Sequence, residues 1–136
     1  SDTTITAYRA HRIVLDADGI APYKKWRPAR SSQPSHLNFA TGVDGVRYPR
    51  EMVRYVAGRG TEFLDLTPRA DDVWLNHCAL RAGFPVQQVA ARSANFPLVP
   101  GSQRVRLSRV NLSGGNDVQI AATYTAEDVA KLRAAE

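Results

Sequence analysis

Apolar positions recur at i, i+3, i+4 and i+7 in the run from Asp71 to Gly83, where Leu75, Cys78, Ala79 and Ala82 line up. That period predicts an amphipathic helix, and Gly83 followed by Phe84-Pro85 predicts its stop. Its start reads in two ways. Thr67-Pro68 reads as N-cap and first helical residue, which places Asp71 and Asp72 near the end of the first turn. Alternatively, Asp71 itself caps a shorter helix. Upstream, Thr4 to Leu15 is rich in β-branched residues and predicts a strand, Asp16-Ala17-Asp18-Gly19 a turn, and Ile20 to Tyr23 the return of a hairpin. Residues 24–41 are polar and proline-bearing, with Trp26, His36 and Phe39 as their only bulky rings, and read as a long loop.

Further along, Gly42 to Pro49 predicts a short strand with glycines at its mouth, where the backbone either approaches a ligand closely or bulges. Pro49 to about Ala57 predicts a helix with Met52, Val53 and Val56 on one face, ended by Gly58. Glu62 to Leu66 leads into the helix that carries Asp71. Pro85 to Ala91 predicts a strand with Val86 and Val89 apolar, Ser93 to Ser102 a loop, and Val105 and Leu107 a half-buried strand. A turn from Leu112 to Asp117 then opens a helix over Val118 to Ala122, and Thr125 to Asp128 is a capping box for the last helix. The pattern is that of a mixed α+β protein in a single domain, 1–136, without repeats or linkers.

Composition narrows the function classes. The chain is 43% hydrophobic and 23% charged, as in a globular domain. No window approaches the roughly eighteen apolar residues of a membrane span, and Ser1 to Thr4 has no features of a secretory signal. Cys78 is the only cysteine, which rules out an internal disulfide and a cysteine-rich zinc site. Its place on the apolar face predicts a small core residue, and a reducing, cytoplasmic setting fits. The formal charge of +5 comes with bunched cations: Lys24, Lys25, Arg27 and Arg30, then Arg47, Arg50, Arg54 and Arg59. A basic surface suits an anionic membrane face, a phosphorylated small molecule or nucleic acid. No signature of a nucleic-acid module is present, so no nucleic-acid partner is expected.

Two places could carry chemistry. Asp71 and Asp72 lie close to the positive end of a helix dipole, which favours their ionised form. An ionised carboxylate on a rigid element beside Trp74 is what a general base needs to take a proton from a hydroxyl. Ordinary capping and dipole chemistry explains the same two residues. The second place is Asp16-x-Asp18 at the end of an apolar strand, the way many sugar-nucleotide enzymes hold a divalent metal and the donor diphosphate. Gly19 makes a plain turn sufficient, and the fifteen residues before Asp16 are too few for a nucleotide-binding βαβ half.

Five motifs in order carry a resemblance: Tyr8-Arg9-Ala10-His11-Arg12-Ile13; Gly19 to Pro22-Tyr23 with Trp26; Thr41-Gly42-Val43-x-Gly45-Val46-x-Tyr48-Pro49; Ala70-Asp71-Asp72-Val73-Trp74; and Gly115-Asn116-Asp117-x-Gln119. Together they resemble the second half of a group of bacterial glycosyltransferases of capsular and cell-surface polysaccharide synthesis, of the GT-A class related to family 2. The resemblance reaches to about Ala122. It implies a mixed-sheet, acceptor-side C-terminal half of a GT-A fold and inverting transfer of a sugar from a nucleotide-sugar donor to a glycan acceptor hydroxyl. By the same resemblance Asp72 is the catalytic base and Asp71 the acidic residue before it. Gly42 and Gly45 lie under the donor sugar, with further substrate contacts from Trp74, Tyr48, Trp26, Asn116 and Asp117. Mg²⁺ or Mn²⁺ is expected in the intact enzyme, and no metal or other cofactor on this part of it.

Asp44 and Arg47 depart from the pattern, standing where a glycine and an aliphatic residue are expected, and Arg50 stands in place of a second proline. The nucleotide-binding half is also absent, so the chain reads as a piece of a longer enzyme. A piece with an uncovered strand edge predicts a homo-oligomer, most simply a twofold dimer, pairing through Thr4 to Leu15. The alternative is a non-catalytic module that binds a glycan or a protein.

Overall fold

The computed structural model describes residues 2–94, 96–97 and 114–136. The strand expected at Val105 and Leu107, most of the Ser93–Ser102 loop and the start of the turn at Leu112 lie outside them. In chain order the described elements are β1 (Ile5–Ala7), β2 (Ala10–Arg12), β3 (Leu15–Asp16), β4 (Gly19–Ile20), a 3-10 turn (Tyr23–Lys25), β5 (Arg27–Pro28), β6 (Asn38–Ala40) and β7 (Val46–Arg47). Then come α1 (Arg50–Gly58), α2 (Phe63–Leu66), α3 (Asp71–Ala82), β8 (Val86–Gln88), α4 (Asn116–Thr123) and α5 (Ala126–Arg133). The protein is a small α+β domain with a mixed sheet: β1 pairs with β7 antiparallel and with β8 parallel.

The expected single strand from Thr4 to Leu15 is three strands in three sheets, ordered β7-β1-β8, β5-β2-β6 and β3-β4. The burial phase explains the break. Ile5 and Ala7 face the core two residues apart, but the next buried positions are Ala10 and Ile13. A strict period of two is lost at Tyr8-Arg9, and the chain must turn there to keep apolar residues inside. Tyr8 serves the turn, its N–H donating to Gly45 O and its carbonyl accepting from Ala94 N–H. β1 is therefore the middle strand of its sheet and not the free edge expected to pair with a second copy. The hairpin of β3 and β4 forms as expected, and the Asp16 carboxylate accepts the Asp18 N–H inside its turn.

Within the expected loop 24–41, Asn38–Ala40 is a wholly buried strand paired with β2. Its polar neighbours hid it: Asn38 is inside because its amide donates to Val86 O and Gln33 O. Met52 is fully buried on α1, but Val53 is 54% exposed, since the helix packs through a narrower stripe than its apolar residues span. Val86 is buried while Val89, beyond the end of β8, is 50% exposed.

α3 is the central element. Val73, Trp74, Asn76, His77, Cys78, Ala79 and Leu80 are all buried, whereas Leu75 and Ala82 of the expected apolar face are only half-buried. Two apolar clusters meet on this helix: one holds Ile5, Met52, Trp74 and Cys78, the other Phe39, Val73, Leu80 and Leu132. A helix packed on all sides needs no single apolar stripe. Its start also differs from the expectation. Thr67 ends α2, donating its N–H to Phe63 O, and α3 begins at Asp71 after Ala70, which supplies no side-chain cap. Its end is as expected: Gly83 takes φ 78 and Phe84 N–H returns to Ala79 O.

Candidate functional site

Asp71 and Asp72 are the first two residues of α3, and the Asp72 side chain reaches the turn between β6 and β7. Asp71 is exposed and Asp72 half-buried. Gly42 N–H donates to Asp72 Oδ1 at 2.9 Å. A Cβ on Gly42 would lie 3.0 Å from that same oxygen, so the close approach favours glycine, and a larger residue would push the carboxylate aside by a few tenths of an ångström. The turn is held at its far end too, where Gly45 O accepts Tyr8 N–H and the Asp44 carboxylate accepts Phe96 N–H.

The helix end alone does not set the proton affinity of Asp72. Burial and the neighbouring Asp71 charge push its pKa up to about 6, against the pull of the Gly42 hydrogen bond. One exposed helix end cannot offset the loss of water around a carboxylate that has a like charge beside it. Two phenols and an imidazole stand near it. Burial, then the Asp72 charge, pushes the Tyr23 phenol up to about 12, and the Tyr48 phenol also rises from burial and both carboxylates. His11 Nδ1 lies 3.0 Å from the Tyr23 hydroxyl, and burial with Arg9 nearby lowers its basicity. A carboxyl that titrates near pH 6 among neutral phenols and a neutral imidazole can exchange protons near neutrality.

The other residues named from sequence divide. Gly42 and Tyr48 belong to the Asp72 neighbourhood. Gly45 shapes the same turn at φ 102. Trp74 is 3% exposed, a core residue with the Arg59 guanidinium 4.9 Å from its ring centre. Trp26 is buried as well; its Nε1–H donates to Ala21 O and its ring packs on Tyr23 and Phe39. Both indoles are buried beside the site, and Trp74 also lines the cleft next to Asp71. Asp117 Oδ1 accepts Tyr23 N–H at 2.7 Å, which fixes the 3-10 turn bearing Tyr23. Asn116 is half-buried at the start of α4. Sequence reasoning missed Tyr23 and His11 as site residues, although both stand in the quoted motifs. It also missed Asn76, whose signal was its place one helical turn after Asp72.

Asp71 also lines a cleft of about 570 Å³ with Val56, Phe63, Trp74 and Leu75. A second cleft of about 290 Å³ lies between the hairpin and the last two helices, lined by Asp18, Pro22, Asp117, Tyr124 and Val129. Among the described residues no group of three or more His, Cys, Asp or Glu side chains could hold a metal ion. In the Asp16-x-Asp18 pair, Asp16 Oδ1 accepts the Asp18 N–H within the turn. Cys78 is buried and free, its thiol pushed up to about 11 by burial. No helix among the described residues is long and apolar enough to cross a membrane. No protein family, curated protein or solved structure was found to match the chain.

Proposed function

We propose that the chain is the acceptor-side half of an inverting GT-A-type glycosyltransferase, with Asp72 as its base. The observation that carries this reading is the Asp72 carboxyl itself: half-buried, gripped by the Gly42 N–H and poised near pH 6. A base titrating close to its working pH combines the right protonation state with enough driving force. Asp44 adds support. It stands where the resemblance expects glycine, and its φ of 74 is a conformation that glycine takes most easily and that Asp tolerates better than most residues.

In this reading Asp72 takes the proton of an acceptor hydroxyl as that oxygen attacks the anomeric carbon. The nucleoside diphosphate leaves from the opposite side of the sugar. The Asp71 charge keeps Asp72 basic. No step is routed through a metal ion. A non-catalytic binding module is the second reading, favoured by the apolar lining of the cleft beside Asp71, around Phe63 and Leu75.

The test measures glycan binding by NMR for the chain alone, and transfer from a panel of nucleotide sugars for the chain joined to a GT-A nucleotide-binding half, each for the wild type and for Asp72→Asn. The base role predicts a loss on the order of 10²–10⁴ in rate with glycan binding retained. Equal rates would remove Asp72 from the chemistry. Saturable glycan binding without turnover in either protein would favour the module, and a failure to bind any glycan would sink both readings.

A further inference from the structure

We propose that Asn76 is the positioning residue of the Asp72 site, holding β6 against α3 so that the Gly42 N–H meets the Asp72 carboxylate. The inference rests on the reading of Asp72 as the functional carboxylate, but its test needs no turnover.

Asn76 follows Asp72 by one helical turn and its side chain is buried. Its Oδ1 accepts Ala40 N–H at 2.9 Å, and its Nδ2 donates to Ala40 O at 2.8 Å. The carboxamide thus meets Ala40 as a neighbouring strand residue would, through one donor and one acceptor. β6 is paired with β2 on its other side, where Thr41 N–H donates to Arg9 O. The second Nδ2 hydrogen donates at 2.8 Å to the backbone carbonyl of Asp72. Three hydrogen bonds from one buried amide therefore tie strand to helix.

Two residues beyond Ala40 the chain reaches Gly42, whose N–H donates to Asp72 Oδ1. The connections close a ring: the Asp72 carboxylate to Gly42, the backbone back to Ala40, Ala40 to the Asn76 amide, and that amide to the Asp72 carbonyl. Asp72 is held at both its backbone and its side chain. A carboxylate needs this double hold, because an N–H misplaced by an ångström no longer orients it. Nothing in the apolar packing of α3 calls for an amide at this position. An apolar residue would leave the Ala40 N–H and C=O, both buried, without partners.

The experiment follows the carboxyl carbon of Asp72 by NMR across pH, together with hydrogen exchange of the Gly42 amide, in the wild type, Asn76→Ala and Asn76→Ser. Serine can still bond the Asp72 carbonyl one turn back along its own helix but cannot reach Ala40. Both variants are expected to raise the Asp72 midpoint by roughly 0.5–1 pH unit and to speed Gly42 exchange by on the order of tenfold or more, with the fold retained. Gly42→Ala, which leaves Asn76 intact, should move the midpoint in the same direction. Folded variants of lower melting temperature, with an unchanged Asp72 midpoint and unchanged Gly42 exchange, would overturn the proposal. Collapse of both Asn76 variants to unfolded chains would also overturn it, by making the amide a requirement of the fold. If Asp72 lacks a catalytic role while the midpoint still moves, the proposed function fails and the positioning stands.

Discussion

Asp72 and Asp128 make an instructive pair, both carboxylates packed against α3, one at its first turn and one along its second half. Asp72 accepts a hydrogen bond from the Gly42 N–H and sits half-buried beside the like charge of Asp71; its proton affinity is raised. Asp128 is 0% exposed, and burial alone would raise it further. Instead it accepts from the Thr125 N–H and hydroxyl, pairs with Arg81 and lies 3.3 Å from His77 Nε2, and these partners hold its carboxyl below the usual range. The two ends of the helix therefore treat the same side chain in opposite ways. A carboxylate given every partner becomes a staple, here joining α5 to α3. One given too few holds its proton more tightly, and its ionised form works against the fold.

Removing the staple should produce the largest effect. Asp128→Ala takes from the Arg81 guanidinium its closest carboxylate, from His77 Nε2 its buried partner and from α5 its capping box, so an expected loss of about 2–4 kcal/mol should appear in denaturant unfolding at pH 7. A loss below about 1 kcal/mol would erase the contrast between the two carboxylates.

Asp72→Asn is expected to have the opposite sign. The folded Asp72 keeps its proton up to about pH 6, whereas the unfolded residue releases it near 3.8. The folded state binds more protons in that window, so stability falls as pH rises through it, and the penalty is complete above pH 6. Asparagine keeps the oxygen that accepts the Gly42 N–H and never ionises. With its half-exposed setting screening the effect, the variant should be about 1–2 kcal/mol more stable at pH 8 and equal to the wild type at pH 4. Urea melts at both pH values would show it; a destabilised variant at pH 8 would mean that the ionised carboxylate is well served.

The smallest change lies between the two ends. Arg59→Ala removes the guanidinium over Trp74 and the Arg59–Glu62 pair, and thermal melts should report about 0.5–1 kcal/mol. A larger loss would place a third anchor on α3 beside the Asp128 staple.

Much of this molecule follows from residues close together in the chain. The Asp16–Gly19 turn, the Gly83 stop and the Thr125–Asp128 capping box all formed, because each is closed by hydrogen bonds spanning five residues or fewer. The acidic pair at a helix start was legible for the same reason. What decided its character was not local. The Asp72 carboxylate meets an N–H thirty residues away, and Asn76 reaches a strand thirty-six residues back. α3 was readable as a helix, but not as one buried on nearly every side, since its hydrophobic period says which residues can be inside and not how many surfaces will cover them. Proton affinity depends on the water excluded and the charges brought near, and only the packed tertiary structure sets those.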